Sequence, residues 1–222
     1  VALRRAEPGS QTFERLIVAD VLDRKMADLL RICAHCRLNI LVAGPAGSGK
    51  TALLAALARD MGEARVVTVA RHRIFRWPSL TKVELVASSG MPTGGDAEPG
   101  GTPLPALLAA GAALQPDLLV VDSVRLEDVP ALMERLARGV RGTVAAVEPE
   151  TLAAGLGQSV DIVLRLGRGR DGQHRVVLIH DAKGAPLFVH EGGRFARRPA
   201  TPSFAASVRD LGLGTALESV LR

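Results

Sequence analysis

Residues 38–51 read Leu38-Asn39-Ile40-Leu41-Val42-Ala43-Gly44-Pro45-Ala46-Gly47-Ser48-Gly49-Lys50-Thr51, and an Ala- and Leu-rich run continues to Met61. The apolar run ending at glycine has the form of a buried parallel strand, and the run from Thr51 to Met61 that of a helix. Between them, Gly44 to Thr51 matches Gly-x-x-x-x-Gly-Lys-Ser/Thr in the strand–loop–helix context its mechanism needs. Gly47 and Gly49 let backbone N–H groups curl around phosphate oxygens without a Cβ in the way. The helix N-terminus adds partial positive charge. Gly44, Pro45, Ala46, Gly47, Ser48, Gly49, Lys50, Thr51 and Ala52 are the expected nucleotide-binding residues, with ATP and Mg²⁺ the expected ligands. Lys50 would reach the β- and γ-phosphates, and the Thr51 hydroxyl would ligate the metal.

Outward from this loop, strands and helices alternate. Strand patterns fall at Arg65–Ala70, near Val83–Val86, at Leu118–Asp122 and at Thr143–Val147, and Leu104–Leu114 reads as a helix. Val129, Leu132, Met133 and Leu136 recur at helical spacing. This order predicts an α/β P-loop NTPase fold, RecA-like, with a mostly parallel sheet and helices on both faces. Val160–Leu166 and Arg175–Ile179 flank the turn-like Gly169–Gly172. The strands near Val176–Ile179 and Leu187–His190 are joined too briefly for helical crossovers, so they are expected to form a C-terminal antiparallel hairpin. Ser88–Gly101 collects Gly, Pro, Ser and Asp, the composition of a mobile loop.

Asp122 ends an apolar strand and fits a Walker B aspartate, which makes it the second expected Mg²⁺ contact with Thr51; the plainer reading is an acid capping the next turn. Ser123 stands where many such ATPases carry a glutamate, and a neutral hydroxyl is a poor general base.

The 222 residues are enough for one sizeable core, and 47% hydrophobic with 23% charged residues is ordinary for a globular protein. No apolar run approaches the roughly 20 residues needed to span a bilayer. The chain opens on Val1 without a signal-like segment, which sets a cytoplasmic protein that has lost an upstream domain as the expectation. The net charge of +5 comes mostly from arginine, and the low aromatic content (3%) argues against base-stacking surfaces, so no specific nucleic-acid partner is expected. Cys33 and Cys36 form a single CxxC without a second pair at zinc-ligand spacing. Cys33 extends the apolar stripe of Met26, Leu29 and Leu30 and reads as core.

Taken together, three segments resemble the ATPases of type II/IV secretion and type IV pilus machines, and most closely the CpaF-type ATPases of tight-adherence (Flp) pilus assembly. The segments are Met26 to Lys50, Gln115-Pro116-Asp117-Leu118-Leu119-Val120-Val121-Asp122-Ser123-Val124-Arg125, and the hairpin Arg168 to Ile179. The resemblance implies a hexameric ring at the cytoplasmic face of the inner membrane, partnered by a secretion or pilus platform protein. It also implies an additional N-terminal domain, so that 1–22 reads as a linker and 23–222 as the RecA-like nucleotide-binding domain.

Departures from the family pattern fall together at the catalytic positions. Ala70 and Arg71 stand where two acids are usual, Asp122-Ser123 replaces Gly-Glu, and Glu148 replaces a histidine before Pro149. The candidate catalytic residues are therefore Lys50, Asp122 and Glu148, the last as a displaced base, and hydrolysis is expected to be slow. A nucleotide-binding but catalytically silent subunit is the alternative. Arg71, His72, Arg73 and Arg76 form a basic cluster that contacts phosphates, completes a neighbouring subunit's site as arginine fingers, or is a solvated face. Arg165, Arg168 and Arg170 flank the hairpin and either make subunit contacts or are a solvated face.

Overall fold

The computed structural model describes residues 11–73, 75, 81–87, 101–139, 141–149, 151, 160–169 and 171–222. The loop read over Ser88–Gly101, apart from Gly101 itself, and residues Arg76 and Arg170 lie outside the described residues.

The sheet is built around β1 (Ile40–Ala43), which lies between β5 (Thr143–Val147) and β6 (Ile162–Arg168) and runs parallel to both. Beyond β5 come β4 (Leu118–Val124), β2 (Val66–Ala70) and the edge strand β3 (Lys82–Val86), all parallel. Beyond β6 the direction alternates through β7 (His174–Asp181), β8 (Pro186–Glu191) and β9 (Arg194–Arg197). The order is β3-β2-β4-β5-β1-β6-β7-β8-β9. The fold is thus α/β with a mostly parallel sheet, and the expected C-terminal hairpin extends to a third antiparallel turn of chain at β9.

Successive β1 side chains enter opposite cores, as the two-residue strand period requires. Ile40 and Val42 pack with α2 (Arg24–His35) and α3 (Lys50–Asp60), whereas Leu41 and Ala43 pack toward α4 (Leu104–Ala113) and α5 (Val129–Ala137). Burial on both faces is why this strand reads as an unbroken apolar run rather than an alternating one. Asp23 caps α2 by accepting from the Met26 N–H at 2.7 Å, and the buried stripe Met26, Leu29, Leu30 and Cys33 faces the sheet. Burial pushes the Cys33 thiol up, with the neighbouring Cys36 adding to the shift. Among the described residues no helix is long and apolar enough to cross a membrane.

Residues 11–22, placed in a linker by the sequence, fold against the domain. Phe13 and Leu16 of α1 (Phe13–Val18) and Leu22 are buried in the same core as α2. The Val176 N–H donates to the Val21 carbonyl at 2.8 Å, and the Arg31 guanidinium lies 5.0 Å over the Phe13 ring. A helix of six residues carries too short an apolar pattern to stand out by periodicity. The same reason hid α6 (Ala205–Asp210) and α7 (Gly214–Val220), which close the C-terminal end.

Asp181 ties that end down. Its carboxylate is 1% exposed and accepts from the backbone N–H groups of Ala185 (2.8 Å), Lys183 (3.0 Å) and Ser203 (2.7 Å). Burial raises its pKa, but these hydrogen bonds outweigh it and hold the carboxyl below the usual carboxylate range. A depressed folded pKa means the stabilisation is complete above the unfolded value of about 3.9 and is lost as pH falls through the folded value. Asp181→Asn is expected to cost about 2 kcal/mol at neutral pH and to lose part of that deficit below about pH 4. Denaturant titrations at pH 7 and pH 3 check this, and a deficit that grows on acidification contradicts it.

Candidate nucleotide-binding site

The carboxyl ends of β1, β2, β4 and β5 open onto one cleft of about 880 Å³. That is within the roughly 300–1,000 Å³ usual for small-molecule sites. Ala46 to Ala52, Asp122 and Glu148 all line it. Gly44 and Pro45 do not; they serve through their carbonyls.

At Gly44 the constraint is steric, since a Cβ would sit 2.6 Å from Ser48 Oγ and 2.9 Å from the Leu166 carbonyl. At Gly47 it is conformational. Its φ is +74°, and a Cβ there would meet nothing within 4 Å. Gly49 (φ +95°) caps α3 in the left-handed region and offers that helix no side-chain cap. The loop is therefore an open cradle with the α3 N–H groups at its base. Ser48 Oγ is buried and has no hydrogen-bond partner among the described residues. This cradle fits a phosphate.

Lys50 Nζ donates to the carbonyls of Gly44 (2.7 Å) and Pro45 (2.9 Å). Burial lowers its pKa, while the charges of Glu148 and Asp122 oppose the shift. Thr51 Oγ1 donates to Asp122 at 3.0 Å from Oδ1 and 3.2 Å from Oδ2, joining α3 to β4 across 71 residues of sequence. Asp122 is 1% exposed. Burial raises its pKa against the hydroxyls of Thr51 and Ser123 and the charge of Lys50. Thr51 and Asp122 together offer the hard oxygen donors that Mg²⁺ prefers.

The β4–β5 register shifts between Val121 and Val124, and Ser123 within this irregularity has φ +61°. A non-glycine residue held there stores strain on the order of 1–3 kcal/mol, and a bulge re-aims the side chains beside it. Ser123 Oγ donates to Asp122 Oδ2 at 3.1 Å. Glu148 follows β5, is exposed, and acts electrostatically on Lys50 across the cleft.

The basic cluster divides. Arg73 is exposed, whereas the Arg71 side chain is 18% exposed and lines the cleft with His72. Arg71 donates to Asp128 Oδ2 at 2.6 Å and Glu127 Oε1 at 3.1 Å. The sequence reading missed both acids, because they follow β4 in a 3₁₀ turn (Leu126–Asp128) and meet Arg71 only across the strand ends. Arg165 is exposed, and Arg168 Nε donates to the Gly172 carbonyl at 2.9 Å, closing its own hairpin.

Two proteins from strains of Mycobacterium tuberculosis, named as candidate conjugal transfer proteins, are 30% identical to this chain over 211 residues. The alignments cover 83% of the chain and 58% of each relative, so the chain spans little more than half the length of the curated relatives it matches. The crystal structure of the VirB11 ATPase from the Brucella suis type IV secretion system, in complex with sulphate, superposes with a TM-score of 0.55. It is 18% identical, and the match covers 82% of this chain and 60% of that one. At that identity the likeness shows a shared fold. The profile of the AAA ATPase domain matches residues 21–181, well over half of the sequence, and the chain belongs to the AAA ATPase domain family.

Proposed function

We propose that this chain binds Mg²⁺-ATP in the cleft and that residues 11–222 form the nucleotide-binding domain of a secretion-type ATPase, since residues 11–22 share its core. The observation that carries this reading is the Thr51–Asp122 contact at 3.0 Å directly beside an open phosphate cradle. Lys50 is clasped by neutral loop carbonyls that charged phosphate oxygens would replace with stronger partners. Mg²⁺, when bound, offsets phosphate charge. Thr51 and Asp122 are the residues that would hold it.

Among the described residues three carboxylates line the cleft, and two are engaged. Asp122 accepts from two hydroxyls, and Glu127 accepts from Arg71. Among the described residues Glu148 has no hydrogen-bond or ion-pair partner, which supports it as the group that takes a proton from water.

The wider role rests on likeness. The resemblance to CpaF-type ATPases, the relatives named for conjugal transfer and the VirB11 fold support a hexameric motor, cytoplasmic and peripheral to the inner membrane. Its partner would be a secretion or pilus platform protein, and a further N-terminal domain belongs to the same proposal. A silent nucleotide-binding subunit is the second reading, favoured by Ser123 and Arg71 standing where catalytic acids are usual. Steady-state turnover and light scattering under saturating Mg²⁺-ATP separate them. Slow hydrolysis with an ATP-dependent ring is expected. Nucleotide binding with no turnover supports the silent subunit, and a persistent monomer of the full-length protein counts against the ring.

A further inference from the structure

Arg71 leaves β2 and reaches across the end of β4. Its Nε donates to the Ser123 carbonyl at 3.4 Å, and its Nη2 is shared between Asp128 (2.6 Å) and Glu127 (3.1 Å). Asp128 is itself fixed, being 1% exposed and accepting the Arg125 N–H at 2.9 Å through the same Oδ2. A guanidinium carries five N–H donors in a rigid fork. The three contacts use Nε and Nη2, and among the described residues Nη1 has no hydrogen-bond partner.

An arginine tethered only for stability has no need to sit in a ligand cleft. This one lines the cleft that holds Lys50, Thr51 and Asp122. It is anchored to the backbone of Ser123, the residue next to Asp122. Its carboxylate partners balance its charge and hold its position, so little side-chain entropy remains to be lost when a ligand arrives.

We infer that Arg71 is a binding residue for the terminal phosphate of a nucleoside triphosphate, presented in cis by Asp128 and Glu127. The inference rests on the reading of the cleft as a nucleotide site. It makes Arg71 a discriminator of triphosphate from diphosphate, because a shorter nucleotide leaves the guanidinium with only its own carboxylates. It also gives the replacement of an acid by Arg71 a chemical consequence. The guanidinium's Nη1 donors, unused among the described residues, strengthen the hold on a triphosphate.

Calorimetric titration with Mg²⁺-ADP and with the Mg²⁺ complex of a β,γ-methylene ATP analogue tests it. Arg71→Ala is expected to weaken the analogue about tenfold or more, and ADP by less than about twofold. Equal losses for both nucleotides, or no loss, overturn the inference while leaving the cleft a nucleotide site. A wild-type protein that binds neither nucleotide overturns both. If Arg71→Ala does not fold, Arg71→Lys decides by the same criterion. A lysine keeps the charge for the two carboxylates but has no fork, so a selective loss for the analogue supports the inference and matched affinities overturn it.

Discussion

Lys50→Ala binds Mg²⁺-ATP about 10- to 100-fold more weakly than the wild type, the expected loss of one charge-assisted phosphate contact worth roughly 1.5–3 kcal/mol. The cradle explains why the effect is specific. In the ligand-free chain the ammonium is held by the Gly44 and Pro45 carbonyls, so removing it frees two backbone acceptors beside the cleft. Those carbonyls can take water, and no core contact is lost. The variant should therefore melt close to the wild type while its affinity falls. Calorimetry at fixed ionic strength measures the affinity, and equal affinity of the two proteins would overturn the assignment of Lys50 to phosphate.

Glu148→Gln gives the larger effect, and on rate rather than affinity. General-base catalysis contributes on the order of 10²–10⁴-fold, and turnover is expected to fall by that factor with nucleotide affinity unchanged. The other cleft carboxylates are poor candidates. Asp122 is buried and engaged with Thr51 and Ser123, and Glu127 is committed to Arg71, with the Arg125 guanidinium 3.7 Å away. Glu148 is exposed at the end of β5, the strand between the loop-bearing β1 and the Asp122-bearing β4. Glutamine keeps its shape and removes its basicity. Single-turnover hydrolysis under saturating Mg²⁺-ATP, with affinity measured in parallel, reads the two quantities separately. Unchanged turnover in the Glu148→Gln variant assigns the carboxylate to the Pro149 turn and leaves the base elsewhere.

Local chemistry made the Gly44–Thr51 loop and the sheet legible from sequence alone. Glycine positions in the loop are dictated by backbone φ and close approach, which are properties of single residues and their neighbours. The buried strands announce themselves because each is covered on both faces, so Ile40–Ala43, Leu118–Val121 and Val144–Val147 are apolar without interruption. The elements that escaped were short. The one- and two-turn helices α1, α6 and α7 bury a few side chains each and are held by docking, which leaves almost no period to read.

What only the tertiary structure decided is which charges meet. Arg71 reads as part of a basic run, and its membership in the cleft depends on β2 lying beside β4, a pairing that brings it to Asp128 from 57 residues away. The same holds for Thr51 and Asp122. Each has a recognisable pattern around it, but the 3.0 Å contact exists because β5 alone separates β1 from β4. Residue type and spacing along the chain set the loop and the strands. The order of strands across the sheet, a long-range outcome of packing both faces, set the partners of Arg71 and Asp122 and, among the described residues, left Glu148 without a hydrogen-bond or ion-pair partner.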